Sequence, residues 1–565
     1  MSRRSWVLSI AILSALLCYP ADWYPNSWRL AVAQWLGPDG YRSLPLAAVD
    51  SPDAAATDTE EAEPPCPPDP ARWREAKQID GVMIRRSLNC VPDNPFAVAA
   101  FVRGTNNVSQ QTLLKSGLAP DAVVKGRDLD GDGDPDEIHI RLEVVELNGA
   151  SPEAQVPVTQ FAIAPGITPG FWVFAPKTTG MATENFESNN ARAILRVPSP
   201  VIRIEQGDRV QITLENAHYL PHTIHFHGVD HPFLDANGEG NDGVPITSEK
   251  PVLPGRARTY EMQPRQTGTM FYHCHVQAHV HVMMGLQGMF IVEANRPDNW
   301  LQTLNIGAGH VRVPSVASRE SFDREYDLHY MDIDLELNQL IQQHNDPRVI
   351  NEWLHQRYNV TQATADLFVL NGRSFPYTFR ESLVITRPDE RIKLRIANGG
   401  MNPIALHTHG HKVTITHYDG VEAQPAARIT RDVVWIATAQ RLDLELETTN
   451  DGLHSYGSGV WLLHDHQGRG ITNDGIGPGG NVSAIVYEEY LGEDGWPKMF
   501  GMKWNRFFNE RYYLGALSVF EDERFAPAQN DGWRLLQLAG LFIALGVIAG
   551  TALSMLRQRL LKANR

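Results

Sequence analysis

The sequence predicts an all-β protein with two β-sandwich domains, and three observations predict this fold class. Short segments of alternating hydrophobicity, such as 201–204 and 209–214, are separated by Gly, Pro and Asn turns. The same pattern returns in 368–372 and 390–398. The chain has 565 residues, which is long for a single core and suits two or three domains with tails. Two similar β domains joined by a connection are the simplest architecture.

Composition places the chain among folded proteins and excludes one class of partner. Hydrophobic residues make up 42% and charged residues 21%, which is close to globular averages. The formal net charge is -16, whereas nucleic-acid phosphates require a basic face. We therefore expect no nucleic-acid partner.

The N-terminal residues 1–33 are typical of an export signal. Arg3 and Arg4 precede an apolar run that ends at Cys18, and the paired arginines resemble a twin-arginine signal. The candidate cleavage site at 31–33 lies far from this run, so an uncleaved N-terminal anchor is the alternative.

A second apolar segment predicts a membrane anchor near the C-terminus. Residues 535–556 are uncharged, about the length of ~20 residues that a bilayer requires, and Arg557, Arg559 and Lys562 follow directly. A buried helix is the alternative. With the basic end inside, we expect the bulk of the chain on the periplasmic or other extracytoplasmic side of the membrane.

Between these ends, the sequence divides into recognisable segments. An Ala-, Asp-, Glu- and Pro-rich stretch predicts a solvated linker, and polar residues with helical spacing around 323–357 predict an inter-domain connection. Cys66 and Cys90 flank a Pro-rich stretch and would pair as a disulfide only if the compartment is oxidising. The predicted order is signal or anchor 1–33, disordered linker 34–72, N-terminal extension 73–165, first domain 166–296, helical linker 297–365, second domain 366–490, C-terminal tail 491–532 and transmembrane helix 533–557.

The N-terminal extension contains an Asp-rich loop. Carboxylates alternate around a Gly turn there, which suits a hard, oxygen-binding cation such as calcium. The alternative is a polar turn capped by its own side chains, because the flanking helices of an EF-hand are not evident. The candidate ligands are Asp128, Asp130, Asp132, Asp134 and Asp136.

Four His-x-His pairs carry the strongest functional signal. In a strand, residues i and i+2 point to the same side, so each pair presents two imidazoles to one place. Placing 21 histidines at random in 565 residues would give roughly one such pair. The first two pairs fall in the first domain and the last two in the second, and eight imidazoles are too many for one tetrahedral zinc. The pairs are His225 and His227, His273 and His275, His407 and His409, and His464 and His466.

Sulfur ligands accompany the second pair. Cys274 lies between His273 and His275, and it is followed by His279 and Met284. With His222, which precedes the first pair, these residues make two imidazoles, one thiolate and a weak axial thioether, which is the blue-copper electron-transfer set. A structural cysteine packed among histidines is the alternative.

These four segments resemble the copper signatures of multicopper oxidases, over about residues 170–490. The resemblance implies two cupredoxin sandwiches of Greek-key topology and four coppers per chain. It assigns the type 1 copper to His222, Cys274, His279 and Met284, the type 2 copper to His225 and His407, and the type 3 pair to His227, His273, His275, His409, His464 and His466. It also places Asp242 where laccases carry an acidic residue, which suggests a proton donor for oxygen reduction.

The sequence departs from three-domain laccases in its last motif. Asp465 stands where those proteins have a cysteine, and Ile404 stands where the third motif has a histidine. The type 1 copper is therefore expected in the first domain only, as in two-domain laccases of that type and in copper nitrite reductases. Both families form ring-shaped trimers in which a neighbouring chain completes the inter-domain site, so the resemblance implies a homotrimer.

The predicted function is a laccase-like multicopper oxidase that oxidises a reducing substrate by single electrons and reduces O2 to water. The electron donor is a small molecule or a donor protein. A copper nitrite reductase is the nearest alternative, but that family lacks the full set of paired histidines in the second domain. A membrane-anchored copper-binding electron carrier is the non-enzymatic alternative.

Overall fold

The computed structural model describes residues 77–79, 82–84, 122–150, 161–177, 196–297, 299, 301, 303–305, 322–500, 503–509 and 512. The predicted signal 1–33, the linker 34–72, the cysteines Cys66 and Cys90 and the predicted membrane helix 533–557 lie outside the described residues. Within the described ranges, no helix has the length and apolar character needed to cross a bilayer.

The first domain is a sandwich of two five-stranded sheets, preceded by a short hairpin of two strands. One sheet has the order β12-β6-β11-β10-β8, and the other has the order β3-β4-β7-β9 with β5 paired to β4. The hairpin is β1 (Lys77–Ile79) and β2 (Val82–Ile84), and the domain contains β3 (Val123–Lys125), β4 (Glu137–Leu147), β5 (Phe171–Pro176), β6 (Val201–Glu205), β7 (Arg209–Glu215), β8 (His225–His227), β9 (Ala257–Met262), β10 (Gly268–His273), β11 (Gln287–Glu293) and β12 (Leu304–Asn305).

The boundary predicted at residue 166 is wrong. β4 lies in the predicted N-terminal extension, yet it pairs in parallel with β7 and antiparallel with β5. Alternate residues of β4, including Ile138, Ile140 and Leu142, are buried in the core of the first sandwich. The charged residues between them hid this strand in the sequence, although alternation is what a half-buried strand requires.

The second domain is a sandwich of a seven-stranded and a five-stranded sheet. The larger has the order β14-β13-β16-β22-β18-β19 with β20 paired to β18, and the smaller has the order β15-β24-β23-β17-β21. Its strands are β13 (Arg324–Ile333), β14 (Leu367–Leu370), β15 (Val384–Thr386), β16 (Arg391–Asn398), β17 (Ile404–Thr408), β18 (Val413–Tyr418), β19 (Val421–Glu422), β20 (Ile429–Arg431), β21 (Val433–Ile436), β22 (Arg441–Glu447), β23 (Val460–Asp465) and β24 (Ser483–Tyr487).

The predicted helical linker 297–365 is only partly helical. Its middle contributes β13, which pairs with β14 and β16 and is buried at all ten positions. The second half is helical. The described helices are α1 (Ala278–His281), α2 (Leu335–Asn338), α3 (Leu340–Gln343), α4 (Pro347–Gln356) and α5 (Thr378–Glu381), with 3-10 turns at Val360–Gln362, Pro425–Ala427, Glu488–Tyr490 and Trp504–Phe508.

Helix α4 covers one end of the first sandwich. Its start is fixed locally, because the Asp346 side chain accepts a hydrogen bond from the Arg348 amide and Pro347 occupies the first turn. Ile350 and Leu354, one turn apart, are buried in the core of the first domain. This packing brings the polar side of α4 close to the metal-ligand candidates described below.

A buried ion-pair network joins the two sandwiches. Arg203 of β6 contacts Glu325 of β13 at 2.9 Å, and Arg395 of β16 contacts the same carboxylate at 2.5 Å and Asp443 of β22 at 3.1 Å. Both arginines are 1% exposed, so these charges are fully desolvated. Paired burial of this kind makes the relative position of the two domains specific, because each charge requires its partner.

Candidate metal centres

The first two His-x-His pairs form one cluster at an end of the first sandwich. β8 pairs with β10 so that His225 lies opposite His273. His227 Nε2 is 3.0 Å from His273 Nε2, and the rings of His225 and His275 are 5.3 Å apart. Donor nitrogens of His225, His227 and His273 all lie within 4.8 Å of one another. Four imidazoles therefore converge, as the strand period predicted.

The last two pairs form an equivalent cluster on the second sandwich. β17 pairs with β23 so that His407 lies opposite His464. His409 Nε2 is 3.1 Å from His464 Nε2, and the ring of His466 lies 5.4 Å from that of His407. His466 is exposed and its three companions are half-buried, so this cluster faces outward. In the described part of the chain, no imidazole of one cluster contacts an imidazole of the other.

Backbone carbonyls fix the tautomers of both clusters. The Nδ1 atoms of His225 and His407 donate to the carbonyls of Asp242 and Asp432, at 2.7 and 2.9 Å. His273 Nδ1 donates in the same way to the Cys274 carbonyl at 2.9 Å, and His464 repeats this arrangement with its own neighbour. A carbonyl only accepts, so each Nδ1 carries the proton and each Nε2 offers a lone pair. This is how metal-ligating histidines are held.

Between the histidines of the second pair, Cys274 forms a separate, buried centre. Its Sγ is 3.3 Å from His281 Nδ1 and 3.6 Å from His222 Nδ1. Cys274 and His222 are 0% exposed and His281 is 1% exposed. One thiol and two imidazoles thus meet at one point, and no carboxylate belongs to the group.

One predicted ligand is corrected: His281, and not His279, lies beside Cys274. The chain enters α1 through Gln277, whose left-handed φ is 45°. Two positions apart in a helical turn, His279 and His281 face different directions, and the structure exposes His279 to solvent while burying His281. His281 is a further histidine after the cysteine in the sequence, but the prediction took His279, which stands five residues after Cys274.

The remaining predicted ligand, Met284, is fully buried behind this turn. Its carbonyl accepts a hydrogen bond from the Trp172 amide at 2.8 Å, which ties α1 to β5. An axial role for its sulfur remains a prediction.

Burial sets the protonation of these groups. Burial lowers the pKa of His281 and of His227 to about 3, and that of His273 to about 4. These imidazoles are therefore neutral at physiological pH, which is the form that binds a metal. Burial also raises the pKa of the Cys274 thiol to about 12, so a thiolate at this point requires a bound cation.

Three of the five candidate ligands in the Asp-rich loop converge. Asp128, Asp130 and Asp136 each direct an oxygen to one place, with the three atoms within 4.8 Å. Asp132 is not part of this group, and burial raises its pKa to about 6. Asp134 points elsewhere, since its buried carboxylate accepts a hydrogen bond from the Asn299 amide at 2.8 Å.

Family models match both regions that carry the paired histidines. Residues 187–297 match one family model described as multicopper oxidase, and residues 346–472 match a second model with the same description. The two matches contain all eight paired histidines as well as Cys274 and His281. Both halves of the predicted copper site therefore lie in regions similar to multicopper oxidase domains.

The relatives of this chain are 24–26% identical to it over the aligned residues. The iron transport multicopper oxidase FET3 of Saccharomyces cerevisiae is 25% identical over 48% of this chain and 37% of its own length. Copper resistance protein A of Pseudomonas syringae pv. tomato is 24% identical over 45% of this chain and 42% of its own length. Laccase-15 of Oryza sativa subsp. japonica is 26% identical over 44% of this chain and 37% of its own length. The chain spans less than half the length of these relatives.

Two solved structures are similar to this chain at low TM-scores. The blue copper oxidase from Nitrosomonas europaea covers 69% of this chain and 98% of its own, with 24% identity and a TM-score of 0.45. The copper nitrite reductase from Nitrosomonas europaea covers 62% of this chain and 94% of its own, with 19% identity and a TM-score of 0.38.

The second domain has no thiol at the position equivalent to Cys274. Asp465 occupies it, 2% exposed, and its Oδ1 accepts hydrogen bonds from the amides of Ala405 and Gln467 at 2.9 and 3.0 Å. A buried carboxylate held by backbone amides replaces a metal ligand there. The single described thiol centre is the one in the first domain.

A cavity of about 430 Å3 opens beside His281. One side is α4 and the other is the turn around Cys274, and Gln277 Nε2 lies 2.9 Å from His355 Nε2 across the gap. Its size falls within the range of small-molecule sites. The lining residues are Tyr219, Leu220, Pro221, Val276, Gln277, His281, Pro347, Arg348, Asn351 and His355.

Proposed function

We propose that this chain is a copper-dependent, laccase-like oxidase that couples one-electron oxidation of a reducing substrate to the four-electron reduction of O2 to water. The observation that carries the proposal is Cys274, which lies between two buried imidazoles and is joined by peptide bonds to His273 and His275 of the first cluster. A thiol centre and an imidazole cluster are therefore linked through the backbone of adjacent residues.

The donor sets fit copper. Thiolate with two imidazoles is the set of a type 1 centre, and imidazole-only sets suit type 2 and type 3 copper. We assign Cys274, His222 and His281 to the type 1 copper, with Met284 as the axial candidate. The type 2 copper is assigned to His225 and His407, and the type 3 pair to His227, His273, His275, His409, His464 and His466.

Copper, when bound, would supply one-electron redox chemistry, and the protein contributes positioning and access. His222 is fully buried, whereas His281 lines the cavity under α4. We propose that a small reducing substrate binds in this cavity against His281. A donor protein would instead bind at the mouth of this cavity, where Arg348 is exposed.

Asp242 is proposed to hold the proton that oxygen reduction consumes. Its Oδ1 lies 3.2 Å from His231 Nε2, while His231 Nδ1 donates to the Val229 carbonyl. His231 therefore uses Nδ1 as a donor, and the contact with Asp242 requires a second proton between the two groups. The same carboxylate is 3.3 Å from His225 Nδ1. A shared proton thus lies next to a candidate ligand.

The Asp242→Asn variant is expected to slow O2 reduction by about 100-fold, because a positioned acid or base contributes at least that much. Anaerobic bleaching of the blue band by a reductant is expected to stay at the wild-type rate, since that step needs no proton from Asp242. Stopped-flow absorption measures both steps. Asp230→Asn, which removes a charge from the same loop, is the control, and an unchanged oxygen step in Asp242→Asn contradicts the role.

We propose that the two imidazole clusters meet between chains, in a homotrimer. Each cluster is open at the surface of its own domain, and apolar side chains surround the second one. Trp435 is 60% exposed and Val433 is 37% exposed, on the strand paired with His407, and Leu462 is 37% exposed two residues before His464. Such a patch requires cover. Head-to-tail contact of one domain with the other gives a ring of three chains when successive chains are related by a rotation of a third of a turn.

Trp435→Glu is expected to dissociate the ring into single chains, because it places a charge in the centre of the apolar patch. Oxidase activity should be lost while the blue band is kept, since Cys274, His222 and His281 belong to one chain. Sedimentation velocity and absorption spectra measure these two results. Val421→Glu, at an equally exposed position of the other sheet, is the control. A Trp435→Glu protein that stays assembled and active contradicts the interface.

Calcium at the Asp-rich loop is proposed on the convergence of Asp128, Asp130 and Asp136. At a free calcium concentration of ~100 Kd, the folded state would gain about 2.7 kcal/mol, which raises the thermal midpoint. Asp136→Asn is expected to remove this gain, whereas Glu239→Gln, an exposed carboxylate in the same domain, should keep it. A thermal midpoint that calcium does not change in the wild type argues for the polar-turn alternative.

The export signal and membrane anchor remain proposals based on the sequence. They predict that the full chain fractionates with membranes and resists alkaline extraction, with its bulk open to protease from the extracytoplasmic side.

A further inference from the structure

A second histidine is buried behind His222 at the thiol centre. His218 follows β7 and is 6% exposed. Its Nδ1 lies 2.8 Å from His222 Nε2, on the side of the His222 ring that faces away from Cys274. No predicted site includes His218, and nothing in the His-x-His pattern marks it.

The tautomers of this pair follow from a third contact. The Leu220 amide donates to His218 Nδ1 at 3.4 Å, so that nitrogen is an acceptor. The hydrogen bond to His222 is therefore donated by His222 Nε2–H. His222 then has its lone pair on Nδ1, the atom that lies 3.6 Å from Cys274 Sγ. The arrangement prepares His222 to bind a metal through Nδ1 before any metal arrives.

His218 is held firmly for this contact. Its amide donates to Asn216 Oδ1 at 2.9 Å, and its ring packs on Tyr219 with centroids 4.0 Å apart and against Trp172 at 5.2 Å. The Tyr219 hydroxyl and the Trp172 indole both donate to one carboxylate oxygen of Glu146, at 2.8 and 3.3 Å. Two anchored aromatic rings therefore confine the imidazole.

The arrangement leaves a polar atom without a partner. With Nδ1 as an acceptor, the proton of neutral His218 is on Nε2, and that atom is buried without a hydrogen bond. A buried unsatisfied donor costs about 1–3 kcal/mol. A phenylalanine of similar shape would avoid this cost, so the hydrogen bond that Nδ1 accepts from His222 is the contribution specific to the imidazole. His225, His273, His407 and His464 use backbone carbonyls for the equivalent contact.

We propose that His218 is a positioning residue that fixes the tautomer and orientation of His222 for the type 1 copper. The inference rests on the proposed function, because it takes His222 as a ligand. An acceptor at Nε2–H makes an imidazole a stronger donor and favours Cu(II) over Cu(I). Loss of the acceptor is therefore expected to raise the reduction potential of the centre.

The test compares two substitutions of His218 in the full, copper-loaded chain. His218→Phe keeps the ring and removes the acceptor, whereas the side-chain oxygen of His218→Asn can occupy the place of Nδ1. We expect His218→Phe to bind Cu(II) at the thiolate centre about 10–100-fold more weakly and to show a higher reduction potential. His218→Asn should restore both values toward the wild type. Tyr219→Phe, which loses only the contact with Glu146, is the packing control.

The possible results distinguish a failure of the proposed function from a failure of the role of His218. A wild type without a blue band removes the proposed function itself. A blue wild type whose potential and copper affinity are unchanged in His218→Phe, or changed equally in both variants, overturns the role of His218 alone. If His218→Phe does not fold, nitrogen NMR shifts of selectively labelled histidines in the metal-free wild type decide. His222 protonated at Nε2 supports the inference, and His222 protonated at Nδ1 overturns it.

Discussion

Cys274→Ser is expected to abolish the blue absorption band and the consumption of O2, with one copper per chain lost. The hydroxyl oxygen is a harder and weaker ligand than a thiolate, so the two remaining imidazoles, His222 and His281, do not retain a type 1 copper. Ser is close to Cys in size, and Cys274 is fully buried without a disulfide, so the fold should remain. Absorption spectra, metal analysis and oxygen uptake measure the three losses.

A matched pair of histidine variants checks the ligand that the structure corrected. His281→Ala should lose the blue band, because His281 Nδ1 is 3.3 Å from Cys274 Sγ. His279→Ala should keep it, because that side chain is exposed. Loss of the blue band in His279→Ala but not in His281→Ala would support the ligand predicted from the sequence and contradict the geometry of α1.

Arg395→Met is expected to destabilise the protein by about 3–5 kcal/mol, the usual cost of breaking a buried ion pair on one side. Arg395 is 1% exposed and contacts Glu325 and Asp443, which are also buried. Methionine fills part of the space but leaves two carboxylates with less compensating charge. Denaturant unfolding followed by fluorescence measures the loss.

Arg391→Met is the matched control for this prediction. Arg391 lies on the same strand, four residues away, but its side chain is 44% exposed where it contacts Glu445. Solvent screens that pair, so its removal should cost less than about 1 kcal/mol. Equal effects of the two variants would show that the network between the domains does not stabilise their contact.

The sequence predicted most of the metal-binding side chains because strands impose a period of two. Each His-x-His pair needed only an extended backbone to present both rings to one side. His281 escaped prediction because the backbone changes at Gln277 from a strand to a helical turn, and spacing alone does not show that change. His218 escaped because its role depends on contacts with Leu220 and His222 that are visible only in three dimensions.

The domain boundaries were less predictable because buried charge obscured two strands. β13 carries Arg324, Glu325 and Asp327, which look like a polar connection in the sequence, yet all three are buried in ion pairs. A hydrophobic pattern identifies core strands only where polar residues stay outside. β4 was missed for the related reason that charges alternate with its core residues. The two-sandwich architecture was nevertheless apparent from the strands on either side.

The most direct test of the proposed function is a count of copper per chain, with absorption and EPR spectra, on the full copper-loaded protein. The account predicts four coppers per chain, an intense thiolate-to-copper band, a type 2 EPR signal and an EPR-silent pair. Two coppers per chain without a silent pair would contradict the trinuclear cluster and favour nitrite reduction, and one copper at Cys274 alone would favour an electron carrier.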